Sequence, residues 1–358
     1  MSDVPPPENT PSIPVKPNQV SFSVYQGPPL ETVRSLVSKY FTVTDAFIDQ
    51  YGVPTFQVGA EPAREKFKQL LNELAKQGLV TVLRSGMSRD TLALRVFAKP
   101  ELKPSRKTIN VALFFATVAT VLFSGYLLWN GQDPLSNLAD PASIITKAVT
   151  FAAGLIAIIG LHEFGHKTAT TYHKLDATFP YFIPGPPPIG TFGALISLRG
   201  PPTNRDQLFD LGLSGPVVGF LVTIIVTILS VTILSIMVPD SVVQQLAAAG
   251  RLTNSAICLP LTSTSRGTDC EAPLLLIVAS FFAHPAAAGS TLFPNQQLWF
   301  AAHIGALLTF LNIVPAWQLD GGHISRATFG PAGHRIATII GMVILFVTGY
   351  YLFAFLLL

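Results

Sequence analysis

Residues 109–129 form an apolar run of 21 residues without a single charge, and no other feature narrows the fold as sharply. As an α-helix rising 1.5 Å per residue, such a run reaches ~31 Å, enough to cross a hydrocarbon core of ~30 Å. Lipid offers no hydrogen bonds, so the backbone groups in it must pair within the segment, which selects helices. Runs at residues 144–166, 208–238, 298–314 and 336–358 are long and apolar too, with Lys147, Glu163 and Asp210 the charged residues in them. Residues 273–283 are apolar too, but at ~16 Å as a helix they are too short to span and read as an external or re-entrant element. The expected fold is a polytopic α-helical membrane protein with about five spans.

Only 12% of the 358 residues are charged, against roughly 25% in soluble domains. The charge that exists is concentrated: residues 1–108 hold 14 of the 23 Lys+Arg and 10 of the 20 Asp+Glu. Residues 1–19 are Pro-rich without an apolar core and read as a disordered tail rather than a signal peptide. Residues 20–103 read as a small soluble α+β domain. "VSFSVY" and "VPTFQV" are strand-like, residues 30–41 and 61–77 have helical spacing, and "LVTVLRS" and "TLALRVF" suit a hairpin. Residues 104–358 form the membrane domain, and the chain stops inside an apolar run, as a C-terminally truncated chain would.

Lys99, Lys103, Arg106 and Lys107 precede the first span, whereas residues 130–146 carry no Lys or Arg. The positive-inside rule then places the N-terminal domain in the cytosol. The formal net charge of +3 comes with no nucleic-acid motif, so no nucleic-acid partner is expected. Cys258 and Cys270 fall in an external loop, residues 240–272, and read equally as a disulfide or as two separate thiols.

The second span carries His162-Glu163-Phe164-Gly165-His166. On a helix, i and i+4 lie about 40° apart, so both imidazoles share a face and can bind one Zn²⁺. Glu163, one residue on, can activate a water without being a ligand. His162 lies ~27 Å along a helix begun at Ile144, where an unpartnered carboxylate is costly. A catalytic zinc keeps three protein ligands and an open position. Asp320 in "LNIVPAWQLDGG" is the expected third, with Gly321 and Gly322 letting the backbone turn behind it. Bringing Asp320 to His162 requires that residues 273–283 do not cross the membrane. Asn312 is a candidate amide donor for an oxyanion.

Other histidines read as bystanders: His303 as a packing residue, His284 as a helix-entry residue, His173 as interfacial, His323 and His334 as surface groups. In residues 180–202 the prolines forbid a helix, and "TFGALISL" reads as a short strand beside the site, offering backbone pairing to an extended substrate. Gly193→Pro is the substitution this reading points to.

Together, "HEFGH", "LNIVPAWQLDGG" and "SGPVVGF" resemble the site-2 protease family of intramembrane zinc metalloproteases, over residues 144–336. "GPPPIGTFGALISLRGPPTNRD" and "HPAAAG" are similar to the subgroup containing the plastid ethylene-dependent gravitropism-deficient and yellow-green proteases and their prokaryotic relatives. The resemblance implies His162, His166 and Asp320 as ligands of one catalytic Zn²⁺ and Glu163 as base. It also implies a membrane-protein substrate cut within or near a transmembrane helix, as in regulated intramembrane proteolysis, and a prokaryotic plasma membrane or an organellar membrane as the location. No PDZ or nucleotide-sensing domain is recognisable. A prenyl-protein-processing type of protease would want a downstream glutamate as third ligand, and no carboxylate between Lys167 and Leu319 has that setting. The rival of another class is a catalytically inactive zinc-binding membrane scaffold or a zinc carrier, which would have no use for Glu163.

Overall fold

A computed structural model of the chain describes residues 29–49, 52–59, 64–86, 91–98, 107–130, 142–199, 202, 204–248, 278, 281–282 and 289–356. The expected tail, the "VSFSVY" strand, both cysteines, His284 and most of residues 273–283 lie outside the described residues. Two compact units emerge, residues 1–103 and 104–358.

In the first unit, helices α1 (Leu30–Ser38) and α2 (Arg64–Lys76) accompany strands β1 (Val43–Ile48), β2 (Pro54–Gly59), β3 (Leu79–Ser85) and β4 (Thr91–Ala98). All pairings are antiparallel, in the order β1-β2-β4-β3. The hairpin of β3 and β4 sets Leu83 opposite Leu94, as the alternation predicts. Strand β1 was not foreseen, because a register shift between Val43 and Asp45 breaks its period of two. Val33 and Val37 of α1, Leu70 and Leu74 of α2, and Phe56, Val58, Leu94 and Val96 of the sheet close a single core.

In the second unit, four helices are long and apolar enough to cross a membrane: α3 (Lys107–Trp129), α4 (Ile144–Tyr172), α5 (Arg205–Val231) and α8 (Asp320–Val347). Helix α4 is capped by Ser143, whose side chain accepts from the Thr146 N–H, and α5 by Asn204, which accepts from the Gln207 N–H. Helix α5 runs without interruption through Pro216. It ends at Val231, short of the 238 anticipated, and residues Ile236–Pro239 form strand β7, which pairs antiparallel with β8 (Ser290–Phe293). The start of the expected external loop is helical, α6 (Asp240–Ala248). Between α4 and α5, strands β5 (Tyr181–Pro184) and β6 (Thr191–Leu195) make an antiparallel hairpin. It lies along α3: the Asn110 amide donates to the Phe179 and Pro180 carbonyls, and the Thr120 hydroxyl donates to that of Gly190. Those contacts on α3 are ten residues apart, ~15 Å of helix, so the hairpin's irregular backbone is covered by protein to that depth.

Helix α7 (Gln296–Ile313) is shorter than those four and central; Ala301, Ala302, Ile304 and Gly305 are buried. Helix α8 is two segments joined at Gly330, where φ is +71°, followed by Pro331. The Ser325 hydroxyl lies 2.9 Å from His334 Nδ1 and the Trp317 N–H donates to the Thr338 hydroxyl at 3.3 Å. On a straight helix Ser325 and His334 would be ~13.5 Å apart along the axis, so the second segment folds back on the first. That segment then runs beside the end of α7, with Leu345 packed among Leu311, Val314 and Ala316. The single expected run 336–358 is divided at Gly349, φ +87°, from a last short helix α9 (Tyr351–Leu356).

The fully buried Phe56 anchors the first unit. Phe56→Ala is expected to cost about 3–5 kcal/mol, seen in calorimetry of the full chain as a lower transition for this unit alone.

Candidate metal centre

Helix α4 is 29 residues long and carries His162, Glu163 and His166 in its last third. The backbone of α5 presses against this stretch. A Cβ placed on Gly215 would overlap His166 Nε2, and one on Gly219 would stand 2.8 Å from His162 Nδ1. The helices meet with two i,i+4 pairs in register, glycines on one and histidines on the other. Gly165 serves the same approach from the α4 side, since its Cβ would meet the Ser214 carbonyl at 2.6 Å. Any side chain at these places would displace the imidazoles.

The histidines are also oriented. His166 Nδ1 lies 2.8 Å from the Leu211 carbonyl; a carbonyl only accepts, so Nδ1 carries the proton and Nε2 keeps its lone pair for a ligand role. Asp320 opens α8, reached from the end of α7 through Pro315 and a turn in which Trp317 has φ +40°. A left-handed non-glycine residue costs on the order of 1–2 kcal/mol, and the Trp317–Thr338 hydrogen bond holds it. The two glycines after Asp320, expected from sequence to turn the chain, lie instead in the first turn of α8. Their absent side chains let that turn sit against α7's exit: a Cβ at Gly321 would overlap the Ile313 carbonyl.

The result is a near-equilateral triangle. His162 Nε2 and His166 Nε2 are 3.2 Å apart, and each is 3.3 Å from Asp320 Oδ2. Tetrahedral coordination at ~2.0–2.1 Å requires donors about 3.3–3.4 Å apart, so the three atoms fit the edges of one small divalent cation. Among the described residues this is the group of His, Cys, Asp and Glu close enough to hold a metal. It opens into a cavity of about 240 Å³. Glu163, buried to 6% exposure, lines the cavity without belonging to the triangle. The Asn312 amide stands 3.5 Å from His162 Nε2 and lines it as well.

Residues 150–355, more than half of the chain, match the profile of peptidase family M50. The chain belongs to that family. Among curated M50-like relatives, it is 24% identical over 267 residues to the "probable zinc metalloprotease EGY1, chloroplastic" of Oryza sativa subsp. japonica, 75% of this chain and 42% of that one. It is 26% identical over 243 residues to "probable zinc metalloprotease EGY2, chloroplastic" of Oryza sativa subsp. indica, covering 66% and 40%. With the Arabidopsis thaliana EGY1 protein it shares 28% over 186 residues, 52% and 30%. The chain thus spans about two fifths of the length of the first two curated relatives it matches. No solved structure matches it significantly. Its apolar helices make this M50 chain a membrane protein.

The far wall of the M50 cavity is the hairpin: Ala194, Leu195, Ile196 and Leu198 line it. Beyond β6 the pairing continues to a bridge of Ala177 with Leu198. The Thr178 N–H donates to the Ser197 carbonyl, and the Arg199 N–H to that of Asp176. Strand groups alternate in direction, so the peptide groups of Ile196 and Leu198 face away from the partner strand. His323, expected at the surface, lines the cavity instead, one helical turn after Asp320; the first turn of α8 packs on α5 there, since a Cβ on Gly212 would stand 3.0 Å from His323 Cβ. Gln318 and Thr170 line it too and were not singled out. His334 bonds Ser325, and His173 pairs with Asp210 at 2.7 Å. His303 is half-buried and does not line the cavity.

Gly215→Ala is expected to lower bound metal at least tenfold while far-UV circular dichroism stays unchanged; metal analysis of the purified variant checks it.

Proposed function

We propose that this chain is a zinc metalloprotease that hydrolyses peptide bonds within or near transmembrane segments of other membrane proteins. The observation that carries the reading is the 3.2–3.3 Å triangle of His162, His166 and Asp320 with Glu163 in the same buried cavity. Membership in a peptidase family and relatives named as zinc metalloproteases support it.

In this reading His162, His166 and Asp320 hold one Zn²⁺, which when bound polarises a carbonyl and acidifies a water to a pKa of ~7. Glu163 takes the proton from the attacking water and hands it to the leaving amine. The Asn312 amide donates to the oxygen that gains charge. The cavity edge formed by Ile196 and Leu198 pairs with the unwound substrate, because a helical backbone keeps its carbonyls engaged. A bare zinc carrier or inactive scaffold would explain the triangle but neither the buried Glu163 nor the strand edge.

The domain plan is a tail at residues 1–19, an α+β domain at 20–103 and a membrane-embedded protease domain at 104–358. The spans are α3, α4, α5, α7 and the segment after Gly330. Lysines and arginines ahead of α3 favour a cytosolic N-terminal domain, in a prokaryotic plasma membrane or an organellar one. The substrate partner is a membrane protein with a transmembrane helix, cut in regulated intramembrane proteolysis.

Cleavage of a tagged model transmembrane substrate by the full chain in detergent, with bound zinc measured in parallel, tests this. Glu163→Gln is expected to keep its zinc and to lose at least ~10²-fold in rate; equal rates in the two proteins would exclude Glu163 as base and with it the proposed mechanism. Asp320→Ala should lose both zinc and activity. Asn312→Ala should lower kcat about 10²-fold with zinc retained.

The strand edge has its own test. Gly193→Pro is unsuited, since Gly193 has φ +99° and its N–H donates to the Thr191 hydroxyl, so the hairpin itself would break. Ile196→Pro removes an N–H that faces away from the partner strand. It is expected to raise KM at least tenfold relative to Ile196→Ala; matched KM values would rule out strand pairing.

A further inference from the structure

At the end of the bundle where α3 begins and α4 finishes, two lysines from different helices converge on one ring. Lys107 Nζ stands 5.8 Å from the centroid of Phe179, and Lys167 Nζ stands 5.5 Å from it. No carboxylate of the described residues lies within ion-pair distance of either. The acids close by are engaged elsewhere: Asp176 with Arg199 at 3.6 Å, and Asp210 with His173. Lys167 is held in place by donating to the Ala177 carbonyl at 2.6 Å. The Asn110 amide holds the Phe179 backbone through its carbonyl, and the ring is 52% exposed. A half-exposed ring with two ammonium groups near it, neither paired with a carboxylate among the described residues, offers an anion two positive charges at one place.

The depth selects the anion. Lys107 is the first residue of α3, immediately before the uncharged run, so the lysine pair sits where hydrocarbon gives way to headgroups. Exposed Phe164 and Tyr172 on α4 supply apolar surface on the same end of that helix. We propose that Lys107, Lys167 and Phe179 form a binding site for the phosphate of an anionic membrane phospholipid, separate from the metal centre.

The full chain, reconstituted in phosphatidylcholine nanodiscs with or without phosphatidylglycerol and released for native mass spectrometry, tests the site. Wild type is expected to retain phosphatidylglycerol. Lys107→Gln and Lys167→Gln should each weaken retention about fivefold, and the pair about 30-fold, from the usual ~1 kcal/mol per basic residue at an anionic surface. Lys107→Arg with Lys167→Arg should retain the lipid. If the double glutamine variant fails to fold, Lys107→Glu, on an exposed side chain, carries the same expectation. Wild-type retention in the glutamine variants would overturn the proposal. Displacement by inorganic phosphate at equal concentration would identify free phosphate as the ligand and overturn the lipid assignment.

Discussion

Everything at the metal centre depends on how closely α4 and α5 approach. Helices bearing ordinary side chains stay 8–10 Å apart, a spacing that would put a side chain of α5 where the imidazoles stand. Here Gly215 and Gly219 bring the α5 backbone against the two histidines, and the Leu211 carbonyl then fixes the His166 tautomer. In a membrane this closeness is also the source of cohesion, because lipid tails provide no hydrophobic drive for one apolar helix to join another. The same small residues that hold the bundle together therefore aim the site. Further along α5, Thr223 and Thr227 continue this narrow seam: their hydroxyls bond the Gly219 and Thr223 carbonyls, and the Thr223 hydroxyl occupies the place a Cβ on Gly305 would need.

The division of labour between helix and strand comes from what each can offer. Helices satisfy their own backbone groups and so expose none, which suits a wall against lipid. The β5–β6 hairpin is the local exception. Its polar backbone is tolerated because α3 covers one side through Asn110 and Thr120, while Ile196 and Leu198 line the cavity. A site built from helices alone would be walled by side chains on self-satisfied backbone; this one has strand backbone in its wall as well.

The histidine pair and Asp320 were legible in the sequence because metal chemistry leaves few substitutes: two imidazoles at i,i+4 and a carboxylate in an apolar setting have no other comfortable explanation. Helices α3, α4 and α5 were legible because lipid imposes length and apolar character together. What escaped were features that depend on contact between distant segments. His323 looked like a surface residue since nothing local shows that the start of α8 packs against Gly212 of α5; the reversal of α8 escaped too, although Gly330-Pro331 was the available signal. The glycines after Asp320 were read as a turn, the common local use of Gly-Gly, whereas here they make room for the exit of α7. Strand β1 was hidden by its bulge, which shifts side chains to the wrong face of any simple alternation.

The reversal at Gly330 also ties the third donor to the last helices of the chain. The turn that presents Asp320 is gripped from behind by Thr338 through Trp317, while Ser325 and His334 fasten the two arms of the fold-back. Leu345 then keys the returning arm into the end of α7, from which the same turn departs. Asp320 thus sits on a closed mechanical loop rather than on a tether. The position of Asp320 is therefore set by contacts with the returning arm as well as by the chain that leads to it.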